Sequence, residues 1–265
     1  MPKPFSRPCL QHLILIPSGG LCNRLRTIAS ARRLCSQSNA RCSVLWSWGN
    51  FRRYFCGVPD LRFYRKLRAE VDASICHYPH RLNPRRVVDV TVPVIAVQSA
   101  YVFWGSHESP LELRDLKRWL PALHPRLMRR VVDFSRKHLQ NAVGFHIRRT
   151  DNTTATQYSP DSLFLREARR IIASGKKIFL ATDNIHTERL LQRLFGKAVI
   201  VHPKRRKLRR RWPRAFDSVA LEDDLIDLFL LARTEYVLGS YWSSFSAMAV
   251  ELNGSSRSRI LKKSR

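Results

Sequence analysis

The stretch VGFHIRRTDN, Val143 to Asn152, decides how the second half of the chain folds. It opens as an apolar strand and then sets His146, Arg148, Arg149, Thr150 and Asp151 almost in a row. A chain that turns so abruptly from apolar to charged is leaving a sheet at a surface. Those charges either face water or are aimed at something anionic.

Working outward, the same alternation recurs. A loop after the strand leads to Ser159-Pro160, which fits an N-cap with proline at the first helical position. The helix carries Phe164, Ala168, Ile171 and Ile172 at helical spacing and stops at Gly175. KKIFLATD is the next strand, and Thr187 is expected to cap a short helix with Leu190, Leu191, Leu194 and Phe195 that ends at Gly196. KAVIVHP is a third strand, ALEDDLIDLFLLART a helix, EYVLGS a fourth strand and SSFSAMAVELNG a last short helix. Strands alternating with helices imply a parallel sheet covered on both faces, and the strands are continuous apolar runs, as such burial requires. The half is Rossmann-like.

The first half is less regular. HLILIPSGGLCNRLRTIASARRLC reads as strand, glycine turn and helix, with Leu21, Leu25, Ile28, Ala29 and Cys35 on one face. CSVLWSW and VTVPVIAVQS are further strands, and helical stretches at ELRDLKRWL and RLMRRVVDFSRKHL lead into the second half. The expected organisation is an α/β protein of two halves joined near Leu139–Ala142, residues 1–140 and 141–265.

With 265 residues, 44% of them hydrophobic and 26% charged, the chain is globular and long enough for a substantial core. Its net charge of +28 would attract nucleic acid, anionic membranes or nucleotide substrates. The excess is spread along the chain, so charge by itself does not choose among them. The six cysteines, Cys9 to Cys76, include no CxxC pair and read as free thiols. No apolar run reaches the roughly 18–20 residues that span a membrane, and Leu13–Ile16 is too short for a signal peptide. As written the chain reads as cytoplasmic; as a fragment lacking an anchor it would belong to the secretory pathway.

In open parallel sheets, ligands bind beyond the carboxyl ends of the strands. The strand ends here read HIRRTD, TDN, GSYWSSFS and SGGLCN, and right-handed crossovers bring them to one edge. Arg148 and Arg149 offer planar donors that match phosphate. Ser243, Ser244 and Ser246 sit at a helix start, where amides and dipole favour an anion. Gly19 and Gly20 allow close backbone approach, while Asp183 and Asp227 could hold an arginine or accept from a base edge. Each has a plainer reading: adjacent arginines are often solvated, helix-start serines are often caps, and Asp227 can simply face water. Their coincidence on one edge favours a nucleotide diphosphate site. No His, Cys and carboxylate set suggests a metal.

SGGLCNRLRTI, GFHIRRTD, FLATDN and GSYWSSFS, in this order and spacing, resemble the motifs of the fucosyltransferase superfamily that holds the α1,2-, α1,6- and protein O-fucosyltransferases. HIRRTD resembles the α1,6 branch most. The resemblance implies an α/β, GT-B-like fold of two Rossmann-like domains facing a cleft, GDP-fucose as donor substrate, inversion at the anomeric carbon, no cofactor or metal, and a glycan or protein acceptor. It implies that Arg148 binds the donor diphosphate, with Arg149 beside it and Asp183 supporting the site. It puts His146 and Asp227 near the guanine and Ser244, beside Ser243, on a phosphate. Gly20, Cys22 and Asn23 match the loop facing phosphate and sugar. At two places the chain departs from the α1,6 branch: Asn152 stands for its lysine and Thr156 for its glutamate, the proposed base. An alternative stays open, a catalytically degenerate transferase fold that binds nucleic acid or another polyanion through the basic loop 204–214, KRRKLRRRWPR.

Overall fold

A computed structural model describes residues 9–48, 50–58, 75–77, 87–88, 90–91, 93–105, 109, 112, 115–204 and 218–263. The chain divides into two compact units, Met1–His124 and Pro125–Arg265.

The first unit runs β1 (His12–Pro17), α1 (Leu21–Gln37), β2 (Arg41–Val44), β3 (Phe55–Cys56), β4 (Ile75–His77), β5 (Val87–Val88), β6 (Val94–Ser99), β7 (Trp104–Gly105), α2 (Leu116–Trp119) and β8 (Ala122–Leu123). Strands β2-β1-β6-β4 form a parallel sheet in that order. The pairs β3-β8 and β5-β7 are small sheets that the sequence pattern does not reveal. Leu13, Ile14 and Leu15 of β1 are all buried, which means both faces of this strand are covered. Leu25 and Ile28 of α1 are buried with them. Trp46, Phe51 and Phe55 form a second core, their rings meeting edge to face or tilted at 5.0–6.3 Å.

The second unit runs α3 (Pro125–His138), β9 (Ala142–Ile147), α4 (Thr153–Tyr158), α5 (Asp161–Ala173), β10 (Lys177–Thr182), α6 (Ile185–Phe195), β11 (Val199–Ile200), α7 (Ser218–Leu231), β12 (Val237–Ser240), α8 (Ser244–Asn253) and β13 (Arg259–Leu261). Its five strands are parallel in the order β11-β10-β9-β12-β13. Strand β9 lies at the centre and every one of its residues is buried. Val143, Phe145 and Ile147 pack with Phe164, Ala168 and Ile171 of α5 and Leu191 of α6. Gly144 and His146 face the other way. A Cβ on Gly144 would lie 2.7 Å from the Thr234 hydroxyl, so glycine sets how closely the segment after α7 approaches the sheet.

The parallel α/β architecture follows the sequence reading, and several boundaries differ from it. The expected join at 140/141 is instead at 124/125, because α3 packs on α7. Glu222 of α7, buried, takes Arg126 at 2.6 Å and Arg130 at 3.6 Å from α3. Glu222 and Asp223 therefore sit in the second turn of α7 rather than at a helix start. Asn184, not Thr187, caps α6, accepting the amides of His186 (2.9 Å) and Thr187 (3.1 Å). Strand β13 has no clear sequence signal: three residues at the sheet edge, short as edges often are.

Candidate functional site

Because β10, β9 and β12 are adjacent and parallel, the segments leaving them lie side by side. The register pairs His146 with both Ala181 and Gly239, and Ile147 with Thr182. As β9 ends, the Arg148 amide donates to Ser240 Oγ at 3.0 Å. Asp183, just past β10, takes over the next turn: its carboxylate accepts the Arg149 amide at 2.8 Å and the Thr150 hydroxyl at 2.6 Å. It also holds the Arg148 guanidinium at 3.0 Å, while Asp151 holds the other arm. Burial alone would raise the Asp183 carboxyl; Arg148, the Thr150 hydroxyl and the Arg149 amide outweigh it and keep the group below its usual range. Arg148 is thus fixed at the strand end, partly exposed, with three of its five N–H groups unspent among the described residues.

Arg149 is turned the other way. Its guanidinium is buried, bonded to Asp161 at 2.6 and 2.8 Å, to the Ser159 carbonyl at 2.8 Å and to the Arg148 carbonyl at 2.7 Å. It lies over the Phe164 ring. The two adjacent arginines divide the work: Arg149 pins the turn, and Arg148 faces outward.

His146 lies under this turn. Its Nδ1 is 2.6 Å from Ser246 Oγ, and its ring stacks on Phe245 at 4.5 Å. Burial, aided by Arg148 and Lys204, lowers its pKa to about 3 against the pull of Asp183, so the ring is neutral at pH 7. Ser246 Oγ accepts the Ser240 amide at 2.9 Å, which leaves its own proton for Nδ1 and assigns the ring proton to Nε2. Gly239 makes this approach possible, since a Cβ there would sit 2.6 Å from Ser246 Cβ. Ser240, Ser246 and Gly239 therefore belong to the site. The sequence signal for them is a glycine inside a strand opposite a helix start.

Ser243 is the N-cap of α8, accepting the Ser246 amide at 3.3 Å, and Ser244 opens the helix. Asn152 caps α4 through the Ala155 amide and donates to the Trp242 carbonyl at 2.7 Å. Thr156 donates back to the Asn152 carbonyl at 3.3 Å. Asp227, buried in α7, pairs with Lys204; its Oδ1 is buried and has no hydrogen-bond partner among the described residues. The rest of the basic loop, 205–214, falls outside the described residues, and with it the nucleic-acid expectation.

Gly20, Cys22 and Asn23 belong to the first unit. Gly19 takes φ +74°, and a Cβ on it would meet Asn23 Nδ2 at 3.1 Å, so the turn after β1 requires glycine. Gly20 precedes α1 with open space around it. Cys22 is buried in the first turn of α1 and faces the core of that unit. A residue the sequence reading missed is Arg24: buried, bonded to the Pro17 and Gly19 carbonyls and Ser47, and stacked at 4.0 Å on Trp48. Burial lowers its pKa to about 10. Carbonyls and indoles, with no carboxylate among the described residues, hold this cation at the glycine turn.

Among the described residues no three His, Cys, Asp or Glu side chains gather as a metal site, and no helix is long and apolar enough to cross a membrane. No family model and no curated protein sequence matches the chain. Solved structures do. POFUT1 in complex with GDP superposes with TM-score 0.59 at 13% identity, over 96% of this chain and 98% of that one. A point mutant of Arabidopsis thaliana FUT1 in complex with GDP gives 0.66 at 14%, over 97% of this chain and 71% of that one. NodZ α1,6-fucosyltransferase soaked with GDP-fucose gives 0.60 at 18%, over 92% of each. At these identities the likeness is one of fold, and the fold of this chain is that of the fucosyltransferases.

Proposed function

We propose that this chain is an inverting, metal-independent glycosyltransferase that moves fucose from GDP-fucose to a hydroxyl of a glycan or protein acceptor. One observation carries the reading: Arg148 is clamped by Asp183 and Asp151 at the end of the central strand with N–H groups to spare. A guanidinium held in this way costs no reorganisation when a diphosphate arrives. The fold likeness to proteins solved with GDP or GDP-fucose supports the choice of ligand.

In this reading the diphosphate is bound by Arg148 and by the positive end of α8 at Ser244. Negative charge grows on the leaving phosphate as the anomeric C–O bond lengthens, and these donors stabilise it. The sugar becomes oxocarbenium-like and is captured on its opposite face by the acceptor hydroxyl. Thr156 offers no carboxylate for the acceptor proton, and Asp151 is engaged with Arg148, so the acceptor oxygen gives its proton to solvent once the new C–O bond has formed. His146 keeps the strand end in place as a neutral ring. The unpartnered Asp227 Oδ1 suits the N–H edge of guanine, an acceptor that UDP could not use in the same way.

Calorimetric titration of the whole chain with GDP and with UDP tests this. GDP is expected to bind and UDP to bind at least about tenfold more weakly, with Arg148→Ala lowering GDP affinity by about tenfold to a hundredfold. Unchanged GDP affinity in a folded Arg148→Ala protein would remove the assignment.

A further inference from the structure

Among the described residues the exposed large apolar side chains are Leu194 and Trp242, and Trp242 is the more exposed, at 70%. Its backbone is also unusual, with φ +54°, a left-handed conformation that a bulky residue seldom adopts. Asn152 bonds its carbonyl at 2.7 Å, so the same loop that carries Arg148 holds the backbone from which the indole projects. The ring does not stand alone. Tyr241 lies 5.9 Å away, Tyr158 is 5.4 Å from Tyr241, and Lys262 Nζ sits 4.4 Å from the Tyr241 ring. Ser159 anchors the Tyr241 amide at 2.8 Å. An exposed indole on a strained backbone contributes little to packing, and such an outlier points to binding.

We propose that Trp242, backed by Tyr241 and Tyr158, is the acceptor platform and that its ligand is a neutral oligosaccharide, one pyranose ring stacking on the indole. The inference rests on the donor reading above, because an acceptor hydroxyl must be delivered beside the diphosphate held by Arg148. The apolar C–H face of a pyranose matches an exposed indole, and its hydroxyl rim suits phenols and an ammonium. A nucleobase would stack equally well but needs acceptors and donors on its edge. Both polar ends of the Asn152 side chain are already used, by Ala155 and Trp242.

The test is saturation-transfer NMR and calorimetry of the whole chain with a panel of neutral β-linked hexose and N-acetylhexosamine oligosaccharides, with GDP titrated in parallel. At least one oligosaccharide is expected to bind. Trp242→Ala should weaken it about tenfold or more, and Trp242→Phe by no more than about threefold, with GDP affinity unchanged in both. Trp242 is largely solvated, so neither substitution opens the core. Panel members that bind equally well to Trp242→Ala would overturn the proposal. GDP binding with no oligosaccharide binding would overturn it too while leaving the donor site standing. Trp242-dependent binding of single-stranded DNA in place of any sugar would likewise refute it. Loss of GDP binding with Trp242-dependent sugar binding retained would support the platform and count against the donor reading alone.

Discussion

His146 shows how burial and one hydroxyl can fix the protonation state of a side chain. It is buried against Phe245 and Ser246, and its pKa lies near 3 in place of the usual 6.5. Below pH 6.5 the unfolded chain takes up a proton that the folded one refuses until about pH 3. Stability is therefore full above that window and falls as pH drops through it, by about 1.4 kcal/mol per pH unit for this one group. His202, lowered to about 4 first by burial, acts in the same direction. Asp183 adds to acid lability further down, because its depressed carboxyl must be protonated for the clamp on Arg148 to open. Urea midpoints measured from pH 7 to pH 4 should decline steeply, and His146→Gln should flatten that decline by about one proton. An equally steep decline in the variant would show that the ring is not held neutral. The sequence made His146, Arg148 and Asp183 legible as members of one group. It could not separate Arg148 from Arg149, because which of two adjacent guanidiniums turns inward depends on Asp161, the Ser159 carbonyl and the Phe164 ring, all later in the chain.

Between elements, the decisive contact is β12 against α8. Gly239 brings Ser246 close enough to serve both the Ser240 amide and His146 Nδ1. Gly239→Ala would drive a methyl to 2.6 Å from Ser246 Cβ, and strand and helix must separate. Overpacking of this kind costs about 1–3 kcal/mol. Thermal unfolding should show that loss together with weaker GDP binding, whereas Gly254→Ala, near the far end of α8, should leave GDP binding alone. A Gly239→Ala protein with unaltered GDP affinity would mean that the spacing does not govern the site. Such spacing is only half visible beforehand. The periodic signals of β9, β10, α5 and α8 are strong enough to read directly. Caps and edges are weaker: Asn184 competes with Thr187 at the head of α6, and both are good capping residues. The division after His124 is hidden for a related reason, since nothing local to α3 says that Arg126 and Arg130 will find Glu222 nearly a hundred residues away.

At the scale of the molecule, the two units differ in how much their sequences reveal. The second follows one rule, strand then helix, and its fold could be written down from periodicity. The first adds two-residue strands and an aromatic core around Trp46 and Phe51, built by contacts that leave no period in the chain. What the second unit gains from its order is visible in where Arg148 is rooted. Strand β9 has neighbours on both sides and no exposed residue. Its amides should exchange with deuterium only through opening of the whole unit, more slowly than those of the edge strand β13. Mass-resolved exchange should find residues 142–147 the slowest region of the second unit, and comparable protection in 259–261 would contradict this. The strand that carries Arg148 then cannot fray while the rest of the sheet persists. Ageing or heating will not yield a population of weakened molecules with graded affinity. It will yield fewer intact second units, so if Arg148 holds the donor as proposed, the fraction that binds in a preparation should count them.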